Sequence, residues 1–265
     1  MKRFVFIFLI ILSTIESYSQ DIKFSKIKSD TATTFNFVNK TYAPLILKIK
    51  KIKDFKFFIK EGETFCNPQD SLVNVINIPK RLFENDSTFK TSNYIDISYT
   101  FGKKLNEDSI KDHLYELPFQ KKKRYKIIQG FNGKFTHSSA QSRYAIDFKM
   151  PIGDTVVAAR RGYVVQAVSH FKKHGGKRFI SKANQIIIMH DDGTFAYYVH
   201  LDKDGTLVKV NDYVEASQPI GISGFTGYTT KPHLHFVVRN YDMAIPIQFK
   251  NKKDIGKKSG VLVKN

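Results

Sequence analysis

The chain has 265 residues, of which 42% are hydrophobic and 14% aromatic. That profile excludes an intrinsically disordered protein and allows a sizeable core, in one large domain or two small ones. The formal net charge of +19, from 43 Lys and Arg against 24 Asp and Glu, points to an anionic partner: nucleic acid, a membrane or envelope surface, or an acidic polymer.

Lys2 and Arg3 precede an apolar run from Phe4 to Leu12, and Ser17-Tyr18-Ser19 follows. A charged start, a short apolar stretch and a small-x-small site read as a signal peptide over residues 1–19. The run is too short to cross a bilayer comfortably. The mature protein is therefore expected to be exported, periplasmic or extracellular, and not membrane-spanning after cleavage. Export disfavours nucleic acid as the partner of the positive charge.

Residues 20–118 read as a small β-sandwich-like module. Short apolar runs at 34–38, 45–49, 72–78 and 94–101 are separated by turns that hold Pro44, Gly62, Asn67-Pro68 and Asn85-Asp86. One short helix is expected around Ser109–Tyr115. The lone Cys66 can form no internal disulfide and has no His near it in sequence, so it reads as a small apolar core residue.

Leu117-Pro118 and the run Lys121-Lys122-Lys123-Arg124 read as a linker. A second, antiparallel β domain follows over 119–248, with strands expected at 125–129, 143–148, 155–159, 163–168, 185–190, 195–200 and 233–238. Between Ser169 and Asn184 lies a loop holding Lys172, Lys173, Lys177, Arg178 and Lys182 and no acidic residue. Residues 249–265 form a basic tail, expected to be poorly ordered.

The chemistry gathers in the second domain. His233 and His235 sit at i and i+2 of an apolar run, so on a strand both imidazoles face one side. Two unpartnered imidazoles are costly to bury, and a metal relieves that cost. Asp147 interrupts the apolar strand Tyr144-Ala145-Ile146-Asp147-Phe148, His200 ends Ala196-Tyr197-Tyr198-Val199-His200, and His137 lies upstream after Gly130-Phe131-Asn132-Gly133. Two His and one Asp with an open coordination position is catalytic-type zinc ligation, whereas a closed structural site would use four ligands and more Cys. His113, His170, His174 and His190 lie outside these motifs; His190 is expected to pack or cap the turn at Asp191-Asp192-Gly193.

These residues resemble those of the lysostaphin/LytM-type peptidoglycan metalloendopeptidases. The likeness is carried by His137 with Tyr144-Ala145-Ile146-Asp147-Phe148, by Met150-Pro151-Ile152-Gly153-Asp154, and by Tyr198-Val199-His200-Leu201. It continues in Gly221-Ile222-Ser223-Gly224-Phe225-Thr226-Gly227 and Pro232-His233-Leu234-His235-Phe236, and spans roughly residues 125–240. The resemblance implies a duplicated hybrid motif fold and one Zn2+ per chain, held by His137, Asp147 and His235. It implies His200 and His233 as the histidines that orient and deprotonate water and stabilise the tetrahedral oxyanion. It also implies hydrolysis of peptide cross-links in peptidoglycan; the basic loop and tail would suit its carboxylates and other anionic envelope polymers. The family commonly places the first His and the Asp closer together; residues Ser138 to Ile146 read as a loop inserted between two ligands. The alternative is a non-catalytic relative that binds peptidoglycan and activates another hydrolase. The bond cut and the oligomeric state are not legible.

Overall fold

The computed structural model describes residues 21–84, 90–106 and 113–265. The expected signal peptide lies outside the described residues, as does most of the expected helix at 109–115. Among the described residues no helix is long and apolar enough to cross a membrane. The chain divides into two compact units, one ending at Phe101 and one beginning at Gly102.

The first unit is built from two antiparallel sheets. One orders the strands Ile22–Lys28, Ala32–Asn39, Asp70–Pro79 and Phe58–Ile59 side by side; the other orders Gly62–Cys66, Leu45–Lys51 and Ile95–Phe101. The strand Ala32–Asn39 alternates strictly between half-buried and buried positions, the period-2 signature of a sheet with one face on a core. That face brings Phe35 and Phe37 inward, and the second sheet contributes Leu45, Leu47 and Ile49. The Phe37 and Tyr99 rings, 6.3 Å apart, join the two sheets. Cys66 is fully buried. Burial, then the nearby Asp70, pushes its thiol up to about 11, so it is an inert core residue.

The second unit holds a long sheet with the order Tyr213–Val214, Gly162–Val168, Asn184–Met189, Phe195–Thr206, Leu234–Asn240, Ile146–Phe148, Arg124–Gln129 and Leu262–Lys264. The strand Pro219–Ser223 pairs with both Thr155–Val157 and Phe195–Thr206. Its core gathers Ile127, Phe148, Val164, Ile186, Tyr198, Leu234 and Phe236. The buried Tyr198 hydroxyl accepts the Ala159 N–H at 2.8 Å, which satisfies a polar group that burial would otherwise penalise. Two short pairings run parallel: His174–Gly175 with Gly227–Tyr228, and Leu114–Tyr115 with Gln248–Phe249.

Three expectations change. The unit boundary lies upstream of the expected linker, because Tyr115, Leu117 and Phe119 belong to the second core. The C-terminal stretch is structured: Leu262–Lys264 pairs with Arg124–Lys126, and Ile255 and Val263 are buried. Two apolar side chains at the right spacing outweigh the repulsion among its lysines. Third, 143–148 is strand only from Ile146, and Leu114–Tyr115 is strand rather than helix.

Candidate metal centre

A row of cross-strand neighbours builds the site. Asp147 lies opposite His235 on one side and Gln129 on the other, and His235 lies opposite Val199. Directly opposed residues of antiparallel strands share a face. Asp147 and His235 therefore meet because the register puts them there. His235 Nδ1 lies 2.8 Å from Asp147 Oδ1. Leu234 and Phe236, pointing the other way, are fully buried in the core.

His137 arrives from the turn after Gly130. Its Nδ1 lies 2.8 Å from the Gly130 carbonyl oxygen. A carbonyl only accepts, so Nδ1 carries the proton and the Nε2 lone pair faces Asp147 Oδ1 at 3.2 Å. The residues between them are fastened in place. Arg239 Nε donates to the Gln141 carbonyl, the Ala244 N–H to that of Ala140, and Ser142 Oγ to that of Thr136. The inserted loop therefore returns the chain to Asp147 without displacing His137.

His137, Asp147 and His235 present ligand atoms that all lie within 4.8 Å of one another. The donor set fits a metal. A neutral His137 points a lone pair at a carboxylate oxygen, and two facing acceptors repel unless a cation or proton lies between them. Three protein ligands, two imidazoles and one carboxylate, with no Cys, match an open zinc site. The Gly130 carbonyl fixes the His137 tautomer, as partners of ligating histidines do.

A proton can stand in for that cation between the two groups. Burial opposes ionisation of Asp147, but hydrogen bonds from His137 and His235 overcome it and hold the carboxyl well below its usual range. Burial likewise works against a charged His137, yet the bond to Asp147 prevails and its pKa is raised. His235 goes the other way: burial dominates and lowers it.

His200 and His233 stand beside this set. Their ring centroids are 4.7 Å apart, and His200 lies 6.0 Å from His235. His200 gives its Nδ1 proton to the Thr226 carbonyl at 2.7 Å, and His233 gives its own to the Lys231 carbonyl at 2.8 Å. Each keeps its lone pair on Nε2. Strict alternation along Tyr198-Val199-His200 would turn His200 toward the core. Instead His200 has φ +68° and sits where the register shifts. A bulge with a left-handed residue re-aims the side chain. Burial, then His233 and His235, pushes His200 down to about 3, so it is held neutral.

Two supporting residues were not legible as candidates. Gln129 donates from Nε2 to Asp147 Oδ2 at 3.1 Å and to Thr136 Oγ1 at 2.7 Å, and accepts the Phe135 N–H. Gly133 leaves it room, because a Cβ there would stand 2.2 Å from Gln129 Cγ. Thr226 is held through its hydroxyl, which donates to the Leu201 carbonyl and accepts the Asn184 N–H. A Gln at the end of a strand carries no chemical signal of its own, and plain alternation would put it on the core face with Ile127 and Tyr125; the register shift between Asp147 and Phe148 turns it to the Asp147 side instead. The other histidines have ordinary roles. His190 donates to the Arg161 carbonyl beside its turn, His113 packs on Tyr115, and His174 stacks on Phe225.

Residues 141–247 match the model of Peptidase family M23. Over 125 residues the chain is 39% identical to lysostaphin of Staphylococcus simulans, covering 45% of this chain and 23% of that protein. Over 134 residues it is 32% identical to the peptidoglycan DD-endopeptidase ShyA of Vibrio cholerae, covering 49% of this chain and 28% of the relative. The chain thus spans about a quarter of the length of these relatives. The solved catalytic domain of the antimicrobial peptidase lysostaphin from Staphylococcus simulans is 32% identical, with 47% of this chain and 87% of that domain covered and a TM-score of 0.35. The family match begins after His137 and does not cover that residue. By the family match, residues 141–247 form a domain of peptidase family M23.

Proposed function

We propose that this protein is an exported zinc endopeptidase that hydrolyses peptide cross-links of bacterial peptidoglycan. The carrying observation is the convergence of His137, Asp147 and His235 with two further imidazoles whose Nδ1 protons are already committed. Zinc bound by the three ligands would lower the pKa of a coordinated water to about 7 and polarise a carbonyl. His200 and His233 offer Nε2 lone pairs beside it. One accepts the proton of the attacking water; the imidazolium so formed steadies the oxyanion at the tetrahedral carbon and then donates to the leaving amine. The Thr226 and Lys231 carbonyls hold both rings in the tautomer that this transfer requires. Membership of a family that includes peptidoglycan endopeptidases supports the substrate class, and the sequence of residues 1–19 supports export.

Zinc analysis and fragment release from purified sacculi test the reading together. Wild-type protein is expected to hold one zinc per chain and release peptide fragments. His235→Ala is expected to lose both properties. His200→Ala is expected to keep the zinc and lose on the order of 10²–10⁴-fold in rate. A wild-type protein that holds zinc, cuts nothing and stimulates another hydrolase would establish the regulatory alternative instead.

A further inference from the structure

The segment between Ser169 and Asn184 carries five cations and no acid. Lys172, Lys173, Lys177, Arg178 and Lys182 are all exposed. Some cations elsewhere in this unit find carboxylates: Arg160 binds Asp191 and Asp192, Lys123 binds Asp154, and Lys250 binds Glu116. The five cations of the segment enter no such pair among the described residues. Asp204, whose N–H donates to the Ser169 carbonyl at the base of the segment, is engaged by Lys203. Like charges crowded on one segment repel, so a free loop would spread them.

This segment is tied down. His174 and Gly175 pair with Gly227 and Tyr228, and the Gly227 N–H donates to the Lys173 carbonyl at 2.9 Å. The His174 ring stacks on Phe225 at 3.5 Å between centroids. Asn184 clasps Phe171 from both sides, accepting its N–H and donating to its carbonyl, each at 2.9 Å. Phe179 is buried, with Arg178 and Lys182 lying 5.0 and 5.7 Å from its ring centre. The strip to which all this is fastened, Phe225 to Tyr228, includes Thr226, whose carbonyl orients His200. The segment that carries the cations is therefore fastened to the strip that orients His200.

We infer that this segment is a cationic wall of the substrate groove that engages free carboxylates on the peptide stems. The inference rests on the proposed peptidoglycan reading and names the chemical group read beside the scissile bond. Four of the five cations are Lys, a hydrated point charge on a flexible stem rather than a fixed fork. Such a set suits carboxylates at varied positions along a polymer. Its attraction is long-ranged and screened by salt.

The test uses the full chain and its Lys172→Gln/Lys173→Gln/Lys177→Gln variant, with the corresponding triple Lys→Arg variant as the charge-preserving control. Co-sedimentation is measured at low and high salt on three preparations: untreated sacculi, sacculi whose carboxylates are amidated with carbodiimide and ammonia, and sacculi stripped of phosphate polymers. Wild type is expected to bind amidated sacculi about tenfold more weakly than untreated ones, and stripped sacculi unchanged. The Gln variant is expected to bind untreated sacculi about tenfold more weakly, with a smaller salt dependence than wild type, and the Arg variant like wild type. Zinc content and cleavage of a short cross-linked peptide with blocked carboxyls should match across all three proteins. Equal binding by the Gln variant overturns the inference, as does loss on phosphate stripping instead of amidation. If no protein cleaves the blocked peptide or sacculi, the hydrolase reading fails while the binding arms still decide whether the wall exists.

Discussion

Asp147 is nearly closed to water yet ionised, and its two oxygens divide the labour. Oδ1 faces His137 and His235, while Oδ2 takes the Gln129 amide. Gln129→Ala removes that outer partner without touching a ligand. We expect zinc affinity to fall roughly 10–100-fold with the fold intact, measured by competition with a chromogenic chelator; an unchanged affinity would make Gln129 a bystander. His200 carries a different cost. Its left-handed backbone is unfavourable for a residue with a Cβ, and such strain persists where the surroundings enforce it. His200→Gly should therefore be more stable than His200→Ala by about 1 kcal/mol in denaturant titrations, with both equally inactive. His190 offers a pH prediction clear of the metal. It is buried, its Nε2 has no partner among the described residues, and burial lowers it from 6.5 to about 4. Between those values the unfolded chain binds a proton that the folded chain does not. Stability should thus fall as pH drops from 6.5 toward 4, by about 3 kcal/mol from this group. Urea unfolding at pH 7 and pH 4 should show wild type losing more than His190→Phe by that order; equal losses would refute it.

At the scale of elements, the C-terminal stretch supports the turn that holds His137. The Phe131 N–H donates to the Gly256 carbonyl at 2.7 Å, and a Cβ on Gly130 would meet that same oxygen at 2.5 Å. A Cβ on Gly256 would press into the Phe131 ring at 2.3 Å. Gly256→Ala should cost about 1–3 kcal/mol in thermal unfolding and weaken zinc retention, and Phe131→Leu in the same chain should restore part of both. No restoration would mean that the contact is not the cause. These couplings also mark the limit of reading the sequence. His233 and His235 were visible because a two-residue period is local, and Asp147 because a carboxylate stands out in an apolar strand. The tail concealed its role, since lysines dominate its composition while Phe249, Ile255 and Val263 do the packing. His200 was visible as a residue type, but its direction was not, because the bulge depends on three strands meeting. The carbonyls of Gly130, Thr226 and Lys231 carry no sequence identity at all.

The whole molecule comprises two units with separate cores. A chain of residues 102–265 is expected to melt cooperatively by calorimetry and to bind zinc like the full chain. A fragment that fails to do so would show that the boundary is not a folding boundary. The row Gln129–Asp147–His235–Val199 has one more consequence. Its two central members are ligands from strands far apart in sequence, and His137 adds the turn after Gly130, so an ion held there works as a transverse stitch across the middle of the sheet. At a free zinc concentration a thousandfold above Kd, such a stitch adds about 4 kcal/mol to the stability of the second unit and nothing to the first. Titrating in a chelator should move one melting transition and leave the other in place.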